Sequence, residues 1–235
     1  MGQRAGQTGS SITETRKYPP EALMRLQITV SRGGRVSLAM HQCSKPTIAA
    51  IQGAAVGVGI TMCLPAAIRV AYSEAKIGFV FARRGIVMEG CSSYFLPRLV
   101  GVSRTIHLTT TGSIYPANHH LLQGLFSEIL SSPEETLQRA LEIADDVARN
   151  TSSISTKLMR DMVYRGPATA EEAHLLESKI LAEIAGNTDQ LEGRNSFLEK
   201  RPSEFKGSIS KNAPPSWPWW TPVDIGKRNP KSTKL

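Results

Sequence analysis

Periodic spacing of apolar residues predicts three amphipathic helices in the C-terminal half of the chain. Along residues 133–149 apolar side chains recur every three or four positions, and two glutamates in the first turn suit the positive end of a helix. Residues 154–164 predict a second helix, which a following Gly-Pro pair ends. Residues 169–185 predict a third helix, which opens with a Thr-x-Glu-Glu sequence and ends at Gly186.

Short apolar runs in the N-terminal half predict buried strands instead of helices. Residues 47–51 follow a proline and form one such run, and residues 68–72 predict a second strand. Between them, Gly53, Gly57 and Gly59 allow tight turns and leave backbone N–H groups free at the start of a helix. This order of strand, glycine turn, helix and strand predicts an α/β fold.

Several further elements have weaker patterns. Residues 20–41 are helical in pattern, with an interruption at 32–34 that contains two glycines. Residues 90–101 and 103–110 predict two helices, each followed or ended by glycine.

Composition divides the chain into four regions. Residues 1–20 are rich in Gly, Ser and Thr and predict loop or disorder, and residues 21–130 hold the α/β core. Residues 131–207 form a helical region, and residues 208–235 form a tail rich in Pro and Trp. We expect the tail's aromatic side chains to dock on the protein, with partner binding as the alternative.

Length and charge indicate one globular domain. The chain has 235 residues, of which 40% are hydrophobic and 20% are charged, enough for a substantial core. The net charge of +8 lies partly near the two ends, and no basic stripe is interleaved with aromatic residues. Nucleic acid is therefore not the expected partner, and the basic surface would suit a small phosphorylated ligand.

Cysteine and histidine usage argues against disulfide and metal chemistry. Three cysteines without C-x-x-C spacing indicate neither a disulfide framework nor a zinc site, and they favour a reducing compartment. His107, His119 and His120 have no acidic or cysteine partner at ligand spacing. The sequence has no apolar run long enough to span a membrane and no signal peptide at its start. The run GAAVGVG lacks the spacing of a dinucleotide-binding fingerprint.

One carboxylate stands out as candidate chemistry. Glu89 follows the apolar residues 86–88 and precedes Gly-Cys-Ser-Ser. Apolar neighbours would shield it from water, as suits a group that moves protons. The free N–H groups of the glycine turn could hold an anion beside it. Ser92 and Ser93 are interpreted as a helix N-cap and not as nucleophiles, because no G-x-S-x-G sequence surrounds them.

These motifs resemble the crotonase (enoyl-CoA hydratase/isomerase) superfamily. Residues 45–59 hold its Lys-Pro strand, Gln-Gly turn and G-x-G element. The sequence EGCSSYFLPRLVG at 89–101 is similar to the peroxisomal-type 3-enoyl-CoA isomerase branch. The sequence EGRNSFLEKRPSEFKG at 192–207 is common in members that handle acyl-CoA. The resemblance covers residues 45–207.

The resemblance implies a fold, a substrate and residue roles. The fold would be a crotonase-like α/β fold of repeated ββα units with a helical C-terminal region, assembled as trimers or hexamers. Glu89 would be the catalytic acid and base on an acyl-CoA, and no separate cofactor would be needed. The Val58 N–H would donate to the substrate oxyanion, with Gly57 and Gly59 shaping the turn. A glycine is frequent at the position of Val58.

The resemblance also separates reaction types. Hydration in this family uses two carboxylates, and the matching positions here are Thr61 and Phe81, neither of which exchanges a proton. The sequence therefore predicts isomerisation of 3-enoyl-CoA to trans-2-enoyl-CoA, in fatty-acid β-oxidation or in specialised, toxin-type acyl metabolism. The alternatives are hydratase-like enolate chemistry and a catalytically dead acyl-CoA-binding paralogue.

The two ends of the chain add two expectations. The family's first strands, and the small-residue loop that gives the first oxyanion-hole amide, have no counterpart before Lys45, so the chain is expected to be truncated at its N-terminus. The final Thr233-Lys234-Leu235 resembles the Ser-Lys-Leu address. It predicts a peroxisomal location and recognition by an import receptor, with the cytoplasm as the alternative.

Overall fold

Two small sheets and nine helices make up the part of the chain that the computed structural model describes, residues 33–223. The strands are β1 (Ile48–Ile51), β2 (Ala55–Val56), β3 (Ile68–Tyr72), β4 (Lys76–Gly78), β5 (Ile114–Pro116) and β6 (Glu128–Leu130). The helices are α1 (33–42), α2 (Val58–Thr61), α3 (Ser92–Val100), α4 (Val102–Thr111), α5 (Pro133–Asn150), α6 (Ser153–Arg165), α7 (Ala170–Ile184), α8 (Thr188–Glu199) and α9 (Ile209–Asn212). Single 3₁₀ turns lie at Ala82–Arg84 and His120–Leu122.

The first four strands alternate between two sheets, which produces repeated ββα units. One sheet is parallel with the order β1-β3-β6, and Ile48 lies opposite Ile68 in its register. The other has the order β2-β4-β5, with β2 and β4 parallel and β4 and β5 antiparallel. Each unit, β1-β2-α2 and then β3-β4-α3, gives one strand to each sheet. This arrangement places the start of α2 and the start of α3 after corresponding strands.

The main core lies between the sheets and helices α2 to α4. Its largest fully buried side chains include Phe79, Phe95, Ile60, Leu64, Ile77, Leu96 and Leu108. Arg69 of β3 is also buried, and its guanidinium donates to the carbonyl oxygens of Leu125 (2.8 Å), Leu64 (3.0 Å) and Ala66 (2.5 Å). These bonds satisfy a buried cation with backbone dipoles and tie two loops to the sheet.

The three helices predicted from periodicity are present in the structure, and each has a side-chain cap at its N-terminal end. Ser132 accepts a hydrogen bond from the Glu135 N–H at the start of α5, and Ser152 and Thr169 act in the same way for α6 and α7. Helix α5 packs on β1 and β3. Helix α8 was not predicted, because its apolar residues do not fall on one face. Its start is fixed by Asn187, whose side chain accepts from the Gln190 N–H.

The Trp-rich tail docks on α6, as predicted. The Trp217 indole N–H donates to Asp161 Oδ2 at 2.9 Å, and the Trp219 indole N–H donates to the Arg165 carbonyl oxygen at 3.0 Å. The Arg165 guanidinium lies 4.4 Å from the centre of the Trp220 ring. Asp161 is buried and also pairs with Lys157 at 2.8 Å.

Some expectations differ from the structure or lie outside its described range. Gly33 and Gly34 do not interrupt the helical pattern but lie within α1. Residues 1–32 and 224–235, which carry the predicted N-terminal loop, the first part of the predicted helix and the C-terminal tripeptide, lie outside the described residues. The division into core, helical region and tail stays a prediction. Across 33–223, no helix has the length and apolar character needed to cross a membrane.

Candidate active site

A tight turn at the start of α3 fixes the backbone of Glu89. Gly90 and Cys91 both have left-handed backbone conformations, with φ of 60° and 59°. A glycine is needed at the first of them, because a Cβ there would lie 3.2 Å from Thr61 Oγ1. The buried Ser92 donates its hydroxyl to the Glu89 carbonyl oxygen at 2.6 Å. The predicted serine N-cap is therefore wrong in detail, since Cys91 holds the cap position and makes no side-chain cap bond.

The two carboxylate oxygens of Glu89 have different neighbours. The Thr61 hydroxyl, at the end of α2, donates a hydrogen bond to Glu89 Oε1. Oε2 lies against α1, where a Cβ built on Gly33 would be only 2.7 Å from it. The absence of a side chain at Gly33 therefore gives Oε2 its space.

Glu89 and Val58, which the sequence singled out, line one cavity. It has a volume of about 180 Å³, and its lining consists of Gly33, Val36, Ser37, Val58, Thr61, Met62 and Glu89. Gly57 and Gly59 do not line this cavity and act on the backbone turn before it. The cavity lies where α1, α2 and the loop before α3 meet.

The turn into α2 leaves backbone donors free beside the cavity. Gly57 has φ 59° and ψ −122°, a conformation that glycine adopts readily, and its N–H donates to the Gly78 carbonyl oxygen at 2.9 Å. The Gly57 carbonyl oxygen accepts from the Thr61 N–H at 3.1 Å. The N–H groups of Val58 and Gly59 have no acceptor among residues 33–223. These donors can therefore bind an external oxygen atom.

The expected shielding of Glu89 by residues 86–88 is largely wrong. Ile86 and Val87 are 57% and 84% exposed, and only Met88 packs against the core. Glu89 is half-buried because α1 and α2 cover it from the other side. The sequence pattern could not show this, since the covering residues are distant along the chain.

The two positions that match hydratase carboxylates lie in different surroundings. Thr61 lines the cavity and contacts Glu89, whereas Phe81 is buried in the core and is not part of the lining. Glu89 is the sole acidic residue among those that line the cavity. The site as described therefore offers one proton-exchanging carboxylate.

Helix α1 contributes residues that the sequence did not indicate as part of a site. Gly33, Val36 and Ser37 all line the cavity. Ser37 is fully buried, and its hydroxyl has no hydrogen-bond partner among the described residues. The one local signal was the Gly33-Gly34 pair within a helical pattern, which marks a place where another group approaches the backbone closely.

Other reactive groups lie in settings that do not favour chemistry. Burial raises the pKa of the Cys91 thiol, and the neighbouring charge of Glu89 raises it further, so this thiol stays protonated at neutral pH. His107, His119 and His120 stack with one another and with Tyr115 at the surface and do not line the cavity. Within residues 33–223 no three His, Cys, Asp or Glu side chains are grouped as metal ligands.

A larger cleft of about 480 Å³ lies between β1 and α5 and carries no comparable chemistry. It is lined mainly by apolar side chains, among them Ile48, Leu137 and Leu141, with Lys45 as its charged residue. No carboxylate lines it. The smaller cavity at Glu89 is therefore the candidate active site.

Comparisons with known proteins identify the family. The model of the enoyl-CoA hydratase/isomerase family matches residues 22–208. Two proteins of Alternaria alternata, enoyl-CoA hydratase AFT3-1 and enoyl-CoA hydratase ACTT3, are 53% and 52% identical over 181 residues. These matches cover 77% of this chain, and the chain spans 61% of the length of each relative.

A solved structure supports the same assignment. The enoyl-CoA hydratase of Bacillus anthracis superposes with a TM-score of 0.73 at 26% identity, over 88% of this chain and 79% of that one. The chain therefore belongs to the enoyl-CoA hydratase/isomerase family, and its repeated ββα units with a helical C-terminal region are a crotonase-like fold.

Proposed function

We propose that this protein isomerises 3-enoyl-CoA thioesters to trans-2-enoyl-CoA thioesters. The observation that carries the proposal is the acid–base content of the cavity: among the described residues that line it, Glu89 is the one carboxylate, and Thr61 stands beside it at a position where a hydratase has a second carboxylate. A double-bond shift needs one group that removes and returns a proton. Addition of water in this family uses two carboxylates.

The proposed reaction proceeds through a dienolate. Glu89 removes a proton from C2, and the C–H electron pair moves toward the thioester carbonyl, whose oxygen becomes negative. The Val58 N–H, which has no acceptor among the described residues, stabilises this oxyanion. The protonated Glu89 then delivers the proton to C4, so the double bond moves from C3–C4 to C2–C3 and the carboxylate is restored. No cofactor takes part, since coenzyme A belongs to the substrate.

Hydration is the second candidate, and the names of the relatives favour it. AFT3-1 and ACTT3 are both named enoyl-CoA hydratases and are more than half identical to this chain. A single carboxylate would then have to activate water and also protonate C2 of a 2-enoyl thioester. A third reading is acyl-CoA binding without turnover.

Separate incubations with a 3-enoyl-CoA and with a trans-2-enoyl-CoA distinguish these functions. We expect the first to yield trans-2-enoyl-CoA, with no 3-hydroxyacyl-CoA formed from either substrate, when the thioesters are separated by chromatography. Formation of 3-hydroxyacyl-CoA from the 2-enoyl substrate would support the hydratase. Binding of both thioesters with no product would support the inactive binding protein.

We further propose that the chain assembles into trimers or hexamers. Large apolar side chains are exposed along α6, α7 and α8, namely Met159, Val163, Leu175, Leu181, Phe197 and Leu198. Exposed apolar surface of this kind is typical of contacts between subunits. This proposal concerns the helical region and is independent of the reaction.

A further inference from the structure

We propose that Thr61 is a positioning residue that fixes the Glu89 carboxylate, so that one oxygen, Oε2, performs both proton transfers. The inference rests on the proposed function and deepens its account of the site. The property of Thr61 that matters for this role is the hydroxyl it presents to Glu89, and not the lack of a carboxylate at that position.

The Thr61 side chain is held rigidly. Thr61 is fully buried at the end of α2, a β-branched residue whose χ1 angle is restricted. Its N–H is bonded to the Gly57 carbonyl oxygen at 3.1 Å, which holds its backbone in the same turn that presents the Val58 amide. Thr61 therefore links the oxyanion donor and the carboxylate in one short rigid segment.

The hydroxyl of Thr61 donates its hydrogen bond to Glu89 in preference to the backbone. The Thr61 hydroxyl carries one proton and has two acceptors in reach, Glu89 Oε1 and the Val58 carbonyl oxygen at 3.3 Å. A hydrogen bond to an ionised oxygen is stronger than one to a neutral carbonyl, so the ionised Glu89 takes the proton. Oε1 is thereby engaged, whereas Oε2 has no hydrogen-bond donor among the described residues and is left to take up the proton.

The position of Glu89 Oε2 is fixed by helix α1. It lies against Gly33 of α1, which lines the same cavity, and a Cβ at that residue would come within 2.7 Å of it. Thr61 on one side and the bare Gly33 backbone on the other therefore hold the carboxylate plane in one orientation. An oriented base meets C2 and C4 in turn without rotating, which lowers the entropy cost of both transfers.

A matched pair of substitutions tests this role. Thr61→Val keeps the size and branching of the side chain and removes its hydroxyl, whereas Thr61→Ser keeps the hydroxyl and removes a methyl group. We expect Thr61→Val to lower kcat for the 3-enoyl-CoA about tenfold or more, with a smaller change in KM, because orientation is lost in the transition state. Thr61→Ser is expected to restore most of that loss.

Rescue by the conservative variant gives a readout that a purely structural role would not change. Thr61→Ser loses packing and keeps the hydroxyl donor to Glu89, whereas Thr61→Val keeps the packing and loses the donor. We therefore expect kcat to follow the presence of the hydroxyl and not the volume of the side chain. Thermal unfolding of both variants, followed by circular dichroism, shows whether each is folded.

A measurement without turnover keeps this test separate from that of the proposed function. The carboxylate stretching band of Glu89, isolated by infrared difference against Glu89→Gln, should lie at a different wavenumber in Thr61→Val than in the unmodified protein, because the hydrogen bond to Oε1 is lost, whether or not any thioester is converted. An inactive protein that shows this shift would refute the isomerase and retain the role of Thr61. An identical band and an identical kcat in the Val variant and the unmodified protein would overturn the proposal.

Discussion

At the scale of single residues, the site depends on backbone conformations that few side chains tolerate. Gly57, Gly90 and Cys91 all have positive φ, and they flank the Val58 amide and the Glu89 carboxylate. Cys91 is not a glycine, so its conformation costs on the order of 1 kcal/mol. Strained positions of this kind persist where the surrounding structure holds them, and here the buried Ser92 and the packed helix α3 do so.

His41 gives a pH-dependent prediction at the same scale. Its ring is buried in edge-on contact with Phe95 and Tyr164. Burial, together with the nearby cations Arg160, Arg165 and Lys157, lowers the pKa of His41 from 6.5 to about 4 against the opposing charge of Asp161.

The direction of the change in stability follows from proton binding by His41 in the folded and unfolded states. Between pH 6.5 and about 4 the unfolded histidine binds a proton that the folded one does not. The free energy of unfolding should therefore fall as the pH drops through this window, by an amount on the order of 3 kcal/mol.

Replacement of His41 isolates this contribution. In His41→Phe the ring contacts are kept and the titrating group is removed, so urea unfolding should show a flatter pH dependence between pH 6.5 and 4 than the unmodified protein. Equal slopes in the two proteins would show that His41 is not the source of acid sensitivity.

At the scale of elements, the docked tail stabilises the packing of α6 against α7. Asp161 of α6 is almost fully buried and bonds both to Lys157 and to the Trp217 indole. On the other side, Glu183 of α7 accepts from the Ser216 N–H at 2.9 Å and from its hydroxyl at 2.5 Å. The tail thus joins α6 to α7 through polar contacts, which are buried at Asp161 and partly exposed at Glu183.

Removal of the Trp217 indole donor should show how much the docked tail contributes to the free energy of unfolding. Trp217→Phe deprives a buried carboxylate of a hydrogen bond and leaves a smaller ring, so we expect a loss of about 2–3 kcal/mol in the free energy of unfolding. Trp220→Phe is the matched control, because a phenyl ring can still lie over Arg165. Equal stability of the two variants would mean that the Asp161 bond contributes nothing measurable.

At the scale of the whole molecule, the exposed apolar residues on α6 to α8 bear on assembly. Phe197 is 81% exposed, so Phe197→Asp should leave the folding of a single chain almost unchanged. Light scattering after size exclusion should give three or six times the chain mass for the unmodified protein and a smaller mass for the variant. Val102→Asp on α4 is the control. A single-chain mass for the unmodified protein would refute the assembly.

The sequence predicted the parts of the fold whose signals are local. Helices α5, α6 and α7 have long periodic patterns and capping residues, β1 is a continuous apolar run, and β3 is apolar apart from Arg69. The two- and three-residue strands β2, β4 and β5 were missed, because such lengths carry no periodicity.

The candidate site was predictable on one side only. Glu89 and Val58 stand in motifs that the family resemblance identifies, and they share a cavity. The contact of Gly33 and Ser37 with that cavity depends on how α1 packs across α2, a tertiary contact that no nearby residue encodes. The hydrogen bond from Thr61 to Glu89 joins the end of α2 to the loop before α3 and needed the structure for the same reason.

The most direct test of the proposed reaction is turnover of a 3-enoyl-CoA by this chain beside its Glu89→Gln variant. The two proteins differ by one proton-exchanging group, and glutamine keeps the size of the side chain. We predict trans-2-enoyl-CoA from the unmodified protein and a loss of at least about 10²-fold in kcat for the variant. Equal turnover in both, or a folded protein that binds the thioester without converting it, would contradict the assignment of Glu89 as the catalytic acid and base.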